Sequence, residues 1–181
     1  MPGKIPINHI ATELNKAVEE LSNYCILLSD EEFFNRPDKK WSVAQQVKHL
    51  TISTRVTTLA FTFPKFMVRW IGGRPNRPSR SYDTLVEKYK LKLSEGGKAG
   101  LIFSPRTVSA KENKKKKLLE NYSKAAQKMI CAVKKNWNDN QTDHYIARHP
   151  LLGKITLREL CYFTIYHNWH HLESIRKLTA K

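Results

Sequence analysis

The chain has 181 residues, 40% of them hydrophobic, with 32 Lys and Arg against 16 Asp and Glu, a formal net charge of +16. Such a length suits a single domain over residues 1–181 with a sizeable core, and the apolar fraction excludes a wholly disordered chain. No apolar run approaches the roughly 18 to 20 residues of a bilayer span, and Met1-Pro2-Gly3-Lys4-Ile5-Pro6 lacks the apolar core of a secretory signal. A cytoplasmic protein with no membrane partner is therefore expected. The three cysteines, Cys25, Cys131 and Cys161, form no CxxC pair, so neither a disulfide framework nor a thiolate zinc knuckle is indicated, and buried, inert thiols are expected.

The first helix is predicted over about Asn8 to Leu28, with Asn8 as its N-cap. Ile10, Leu14, Ala17, Val18, Leu21, Cys25 and Leu28 recur at three- and four-residue steps and make one apolar stripe. Asn35-Arg36-Pro37-Asp38 breaks the chain. A second helix is predicted from Ser42, whose side chain with Gln45 makes a capping box, to about Phe63, where Pro64 stops it. It carries two adjoining stripes, Val43/Val47/Leu50/Thr54/Phe61 and Gln45/His49/Ile52/Val56/Leu59/Phe63, and is expected to be largely buried.

Residues 65–104 are the least regular part. Phe66 to Ile71 is an apolar stub, Gly72 to Pro78 a loop, and Tyr82 to Leu93 a candidate short helix before Gly96-Gly97. So long a connection suits a lid or an edge over a pocket. The third long helix is predicted from Ser109, boxed with Glu112, to about Trp137; Lys114 to Lys117 at its start are electrostatically unfavourable there. The fourth is predicted from Thr156, boxed with Glu159, to about Leu178. Its stripe Leu157, Leu160, Thr164, His167, His171, Ser174, Leu178 alternates steps of three and four. No segment reads as a strand. The expected fold is all-α, a four-helix bundle with a long irregular connection between its second and third helices.

His167 and His171 are spaced i, i+4, which puts both imidazoles on one helix face, able to reach one cation. His49 also lies in an apolar stripe, and an imidazole placed inside a bundle needs a partner for its nitrogens. One divalent metal satisfies three neutral rings and keeps open coordination positions, the pattern of a catalytic rather than a structural site. Spacing alone leaves a second reading equally open, in which the three are unrelated core or rim residues bonded to backbone carbonyls. His170 could replace either ring or support one. Gln45, one turn before His49, is a candidate hydrogen-bond partner for it, though capping is the more economical role. Tyr166 and Glu173 point off the stripe, and His9, His144 and His149 are expected at the surface. Basic residues cluster at Arg69–Arg80, Lys111–Lys117 and Lys134–Lys135, which suits either solvated helix faces or a polyanion-binding surface.

Trp41-Ser42-Val43-Ala44-Gln45-Gln46-Val47-Lys48-His49-Leu50 resembles the tryptophan-to-histidine signature of the DinB/YfiT-like family of proposed metalloenzymes, the DinB superfamily. His149-Pro150-Leu151-Leu152-Gly153-Lys154-Ile155-Thr156-Leu157-Arg158-Glu159 is similar to the turn into that family's last helix, and Tyr166-His167-Asn168-Trp169-His170-His171-Leu172 to the helix itself. The pieces occur in the family's order and span most of the chain. The resemblance implies a four-helix bundle with a metal triad, carried over here onto His49, His167 and His171. Three imidazoles suit a divalent transition metal, zinc or nickel foremost and iron or manganese as alternatives. Some relatives are thiol-dependent transferases or isomerases that use low-molecular-weight thiols such as bacillithiol or mycothiol. The chain departs from a typical relative in its net charge and its basic 111–117 stretch. The leading expectation is a metal-dependent S-transferase or related hydrolase acting on a small molecule with a low-molecular-weight thiol. The alternative is a basic helical bundle that binds nucleic acid or a protein partner, with a structural metal or none. A homodimer is compatible with either.

Overall fold

The computed structural model describes residues 4–36, 40–98, 100–110 and 113–180. Eight α-helices and one two-stranded sheet are found among the described residues: α1 Ile7–Leu27, α2 Asp30–Phe34, α3 Val43–Thr62, α4 Lys65–Gly72, α5 Tyr82–Ser94, α6 Lys114–Asn136, α7 Asp139–His144, β1 Ile146–His149, β2 Gly153–Thr156 and α8 Leu157–Thr179. The long helices α1, α3, α6 and α8 form the bundle. In it α6 packs on both α3 and α1, and α8 packs on the same two from the other side. Chain neighbours α1 and α3 therefore occupy opposite corners.

The capping predictions divide by chemistry. Ser42 with Gln45 and Thr156 with Glu159 form the reciprocal boxes expected of them. Asn8 does not cap α1: Pro6 holds that position, and Asp139 Oδ1 accepts the free amide of Ile7 at 3.2 Å. Helix α6 begins at Lys114 rather than Ser109, after Asn113 in the left-handed region at φ 57°. Glu112, the partner expected for Ser109, lies outside the described residues, as do Pro37 and Asp38 of the expected break. The lysines at the start of α6 acquire a role across the bundle: Lys115 Nζ donates to the carbonyls of Ile26 (2.9 Å) and Leu28, at the unsatisfied C-terminal end of α1. Short α2, boxed by Ser29 and Glu32, and α7, boxed by Asn138 and Gln141, fell below the length that periodicity resolves.

The absence of strands is corrected by an antiparallel hairpin, β1 to β2, paired from Ile146↔Thr156 to His149↔Gly153. Four-residue strands carry too little alternation to read, and the turn is built by side-chain chemistry: His149 Nδ1 accepts the amides of Leu151 (3.2 Å) and Leu152 (3.1 Å), with Gly153 at φ 71°. Helix α4 closes on this hairpin through Gly72, where a Cβ would stand 1.9 Å from the carbonyl oxygen of Ile146.

The first stripe of α3 is buried as expected, but the end of the second is not. Val56, Leu59 and Phe63 are at least one-third exposed, because the bundle covers only the Val43–Phe61 side there, and buried Thr51, Thr54 and Thr58 occupy part of the inner face. Cys25 and Cys161 are buried, and burial pushes both thiols up to about 12; Cys131, expected inside, is exposed. No helix among the described residues is long and apolar enough to cross a membrane.

The start of α8 holds two buried charges. Arg158 is 2% exposed and donates to Asp139 and Asp143, both at 2.8 Å, and to the carbonyl of Ile5. Glu159 is fully buried and takes two bonds from Arg77, at 2.8 and 3.0 Å, one from Arg80 at 3.2 Å, and the backbone amides of Arg80 and Thr156. Burial alone would raise both carboxyls. Hydrogen bonds from Arg77 and those amides hold Glu159 below the ordinary carboxylate range, and bonds from Arg158, Lys4 and Ser79 do the same for Asp143. Their stabilising contribution is full above the unfolded value, about pH 4, and is lost as pH falls through the lower folded values. Urea unfolding should show stability declining below about pH 4, and Glu159→Gln, which strands two guanidinium groups, should cost about 3–5 kcal/mol at pH 7 with a flatter acid limb.

Candidate metal centre

Two of the four long helices supply inward histidines: His49 on α3, and His167 and His171 on α8. Packing of α3 against α8 brings the three rings together, 5%, 4% and 8% exposed. His167 Nε2 lies 3.0 Å from His49 Nε2 and 3.2 Å from His171 Nε2. The three donor atoms all fall within 4.8 Å of one another, a set that could hold a metal ion.

The outer nitrogens decide the protonation of the inner ones. His49 Nδ1 is 2.7 Å from the carbonyl of Phe103, and His171 Nδ1 is 2.9 Å from Gln46 Oε1. Carbonyl oxygens have no proton to give, so each ring carries its hydrogen on Nδ1 and presents a lone pair at Nε2. Burial lowers the pKa of all three; for His167 and His171 the neighbouring imidazoles lower it further, well below the ordinary value. Two neutral lone pairs thus converge on a third imidazole nitrogen, which can offer one proton to only one of them. A divalent cation resolves this arrangement, because imidazole bonds of 2.0–2.1 Å on a tetrahedral face place nitrogens about 3.3 Å apart, close to the spacings observed here. The residues present therefore fit the group.

The triad forms part of the wall of a cavity of about 540 Å³ that is mainly apolar, bounded by α3, α5, the hairpin and the 100–104 segment. Trp41 covers His49 with ring centres 5.1 Å apart, and Phe163 stacks on His167 at 4.9 Å. His171, His170 and Trp41 also border a second cavity of about 490 Å³, which carries Lys40, Glu173, Ser174 and Lys177. The long connection is an edge over the pocket, as expected: Tyr89, Leu93, Phe103 and Ser104 line it.

His170 does not join the triad set; it stands beside it, half-buried, with its ring 5.4 Å from that of His171. Gln45 makes no hydrogen bond to His49 among the described residues. Its side chain caps α3 and donates to the carbonyl of Pro105 at 3.3 Å. The supporting amide is Gln46, on His171, which sequence reasoning missed because the capping pattern drew attention to its neighbour. Gln46 lies three residues before His49 on the same helix, and that spacing was the available signal. His149 was placed at the surface and instead lines the large cavity, half-buried, with its ring 4.2 Å from that of Phe163. His9 and His144 are exposed, as expected, and so is Glu173.

A scan against protein-family models matches the DinB superfamily over residues 12–175. The fold and the buried histidine set are those of a helical bundle with a potential metal centre, and the chain belongs to the DinB superfamily. No curated protein and no solved structure matches the chain.

With metal chelated, Gln46→Leu leaves the Nδ1 proton of His171 without its acceptor in a buried site. Chemical denaturation should register a loss of about 1–3 kcal/mol.

Proposed function

We propose that the protein is a divalent-metal-dependent enzyme of the thiol-dependent S-transferase kind, with His49, His167 and His171 as the metal ligands. The observation that carries this reading is the convergence of three buried, neutral imidazole nitrogens, two of them oriented from behind, on one point at a cavity wall. A buried trio without a shared partner would be costly, and three protein ligands leave coordination positions open. When bound, a zinc, nickel or similar cation supplies Lewis acidity that lowers the pKa of a thiol or water at an open position.

The chain's own residues account for the rest. Phe103 and Gln46 fix the tautomers of His49 and His171. Trp41 and Phe163 shield the rings from water. Two cavities meet at His171, one mainly apolar with Lys98 and Arg148 in its lining, and one lined in part by Lys40, Lys177 and Glu173. This pairing suits an apolar electrophile on one side and an anionic thiol co-substrate on the other. The reaction class is attack of a thiol sulfur on an electrophilic carbon; the leaving group departs with its bonding pair and the thiol proton passes to solvent. Among the described residues the large cavity is lined by no carboxylate, which favours thiol transfer over a hydrolase that needs a general base to deprotonate water.

A polyanion-binding alternative rests on the +16 charge. Four residues of the basic clusters are already engaged: Arg77 and Arg80 bind Glu159, Arg69 lies 4.3 Å from the ring centre of Tyr145, and Lys115 caps α1. A steep fall of nucleic-acid affinity with salt would support that alternative, and a flat response removes it.

Elemental analysis of tag-free protein should give about one equivalent of a transition metal, absent from His49→Ala and from His167→Ala/His171→Ala. Adding the metal at 100-fold over its Kd should stabilise the wild type by about 2.7 kcal/mol and leave the variants unmoved. Gln46→Leu should weaken metal binding roughly 10–100-fold. Metal-loaded protein should accelerate consumption of a thiol in the presence of an alkylating electrophile; failure across thiol and electrophile panels, with metal bound, rejects the transferase assignment while leaving the metal site intact.

A further inference from the structure

The large cavity contains a polar group that the metal centre does not use. His149 closes β1, and its Nδ1 accepts two backbone amides of the hairpin turn, those of Leu151 and Leu152. An Nδ1 that accepts cannot carry the proton, so the neutral ring carries it on Nε2. That Nε2–H has no hydrogen-bond partner among the described residues, yet it is not sealed within protein, since Ser22 Oγ is the sole fully enclosed side-chain atom there without a partner. His149 lines the cavity, so its free edge opens to the cavity space. The ring is held on both sides, by Phe163 at 4.2 Å and by Tyr89 at 6.4 Å between ring centres. Burial pushes its pKa down to about 4, so the ring is uncharged around neutral pH. The wall is mainly apolar, with Val56, Ala60, Leu93, Leu160 and Phe163, and Lys98 and Arg148 are its cationic members.

We infer that His149 is a substrate-binding residue: a neutral, pre-oriented Nε2–H donor that receives the acceptor oxygen of an uncharged, largely apolar substrate, such as an aryl or alkyl carbonyl compound, in the large cavity. The inference deepens the enzyme reading above and rests on it for the cavity's being the substrate side. The neutral imidazole itself brings no charge to offset desolvation of an anion, whereas a carbonyl oxygen needs a single donor and loses little else on entering the apolar part of the wall. A water-filled donor in the same place would be displaced by such an oxygen with its hydrogen bond replaced in kind.

The test uses full-length protein and two matched probes, acetophenone and ethylbenzene, which differ by a carbonyl in place of a methylene. Ligand-observed NMR titration gives a Kd for each with wild type and with His149→Asn. Asparagine keeps an acceptor near the Nδ1 position for the turn amides and withdraws the Nε2–H, so the hairpin and thermal stability are retained. The expected result is that the affinity of acetophenone relative to ethylbenzene falls roughly 3–10-fold in the variant, while ethylbenzene binding and metal uptake are unchanged. In wild type, long-range 15N–1H spectra should show His149 as the Nε2–H tautomer at pH 7. An unchanged probe ratio, no binding of either probe, or an Nδ1–H tautomer overturns the inference. Loss of hairpin stability in His149→Asn with loss of both probes makes His149 a structural residue and overturns it too. Metal uptake is read separately, so failure of the metal centre is distinguishable from failure of this donor.

Discussion

Helix α8 is buried from Leu157 through Ile165 and again at His167, Asn168, His171, Leu172 and Ile175. A helix so enclosed must find an internal partner for every polar side chain it carries, because water cannot supply one. That requirement organises most of the molecule. Arg158 draws in Asp139, Asp143 and the carbonyl of Ile5, which ties α7 and the start of the chain to the base of the bundle. Glu159 draws in Arg77 and Arg80, which pins the long connection across the same end. Asn168 takes the hydroxyl of Tyr122 on α6 and donates to the carbonyl of Thr164 at 2.7 Å. Thr164 donates to the carbonyl of Leu160, and His167 and His171 meet His49.

The charge network and the histidine trio are different solutions to that problem. At the base, burial is offset by opposite charge and by a dense set of hydrogen bonds, and nothing is left over. At the trio, the outer nitrogens of His49 and His171 are each satisfied by a neutral carbonyl, which commits their protons outward and leaves two lone pairs facing His167. Such an arrangement could hold a metal ion. The charge network and the candidate metal centre are thus separated along one helix by about two to three turns, so that a well-anchored base can hold the donor atoms at fixed spacing. Placement of the trio at a cavity wall, rather than deep in the bundle, makes its open side accessible to a small molecule.

The hairpin plays a comparable part on the opposite wall. Its turn is closed by a histidine side chain, not by backbone bonds alone, and this commits the ring's proton toward the cavity. A residue serving the turn with one nitrogen therefore presents the other to the pocket. The short α4 supports the hairpin from outside, where Gly72 admits Ile146 at a distance no larger residue tolerates. The basic surface, too, is partly architecture, since Lys115 serves the end of α1 and Arg77 serves Glu159.

The sequence by itself determined the long helices, their inward stripes, and two of their caps. Those depend on contacts between residues three or four apart, and local order encodes them directly. The i, i+4 pair His167 and His171 was legible for the same reason, whereas its union with His49 was one of two readings that spacing left open, favoured by the resemblance to the DinB family. Tertiary structure alone decided the rest. Which glutamine supports the site depends on the rotation of α3 against α8, so Gln46 rather than Gln45 reaches His171. Whether His149 faces solvent or the cavity depends on a hairpin of two four-residue strands, whose pairing is longer-range than any periodic signal. The Phe103 carbonyl comes from a segment with no regular pattern, 54 residues along the chain from the ring it orients. Side-chain periodicity reports which face of an element is buried; it does not report which atom of a distant segment will arrive there.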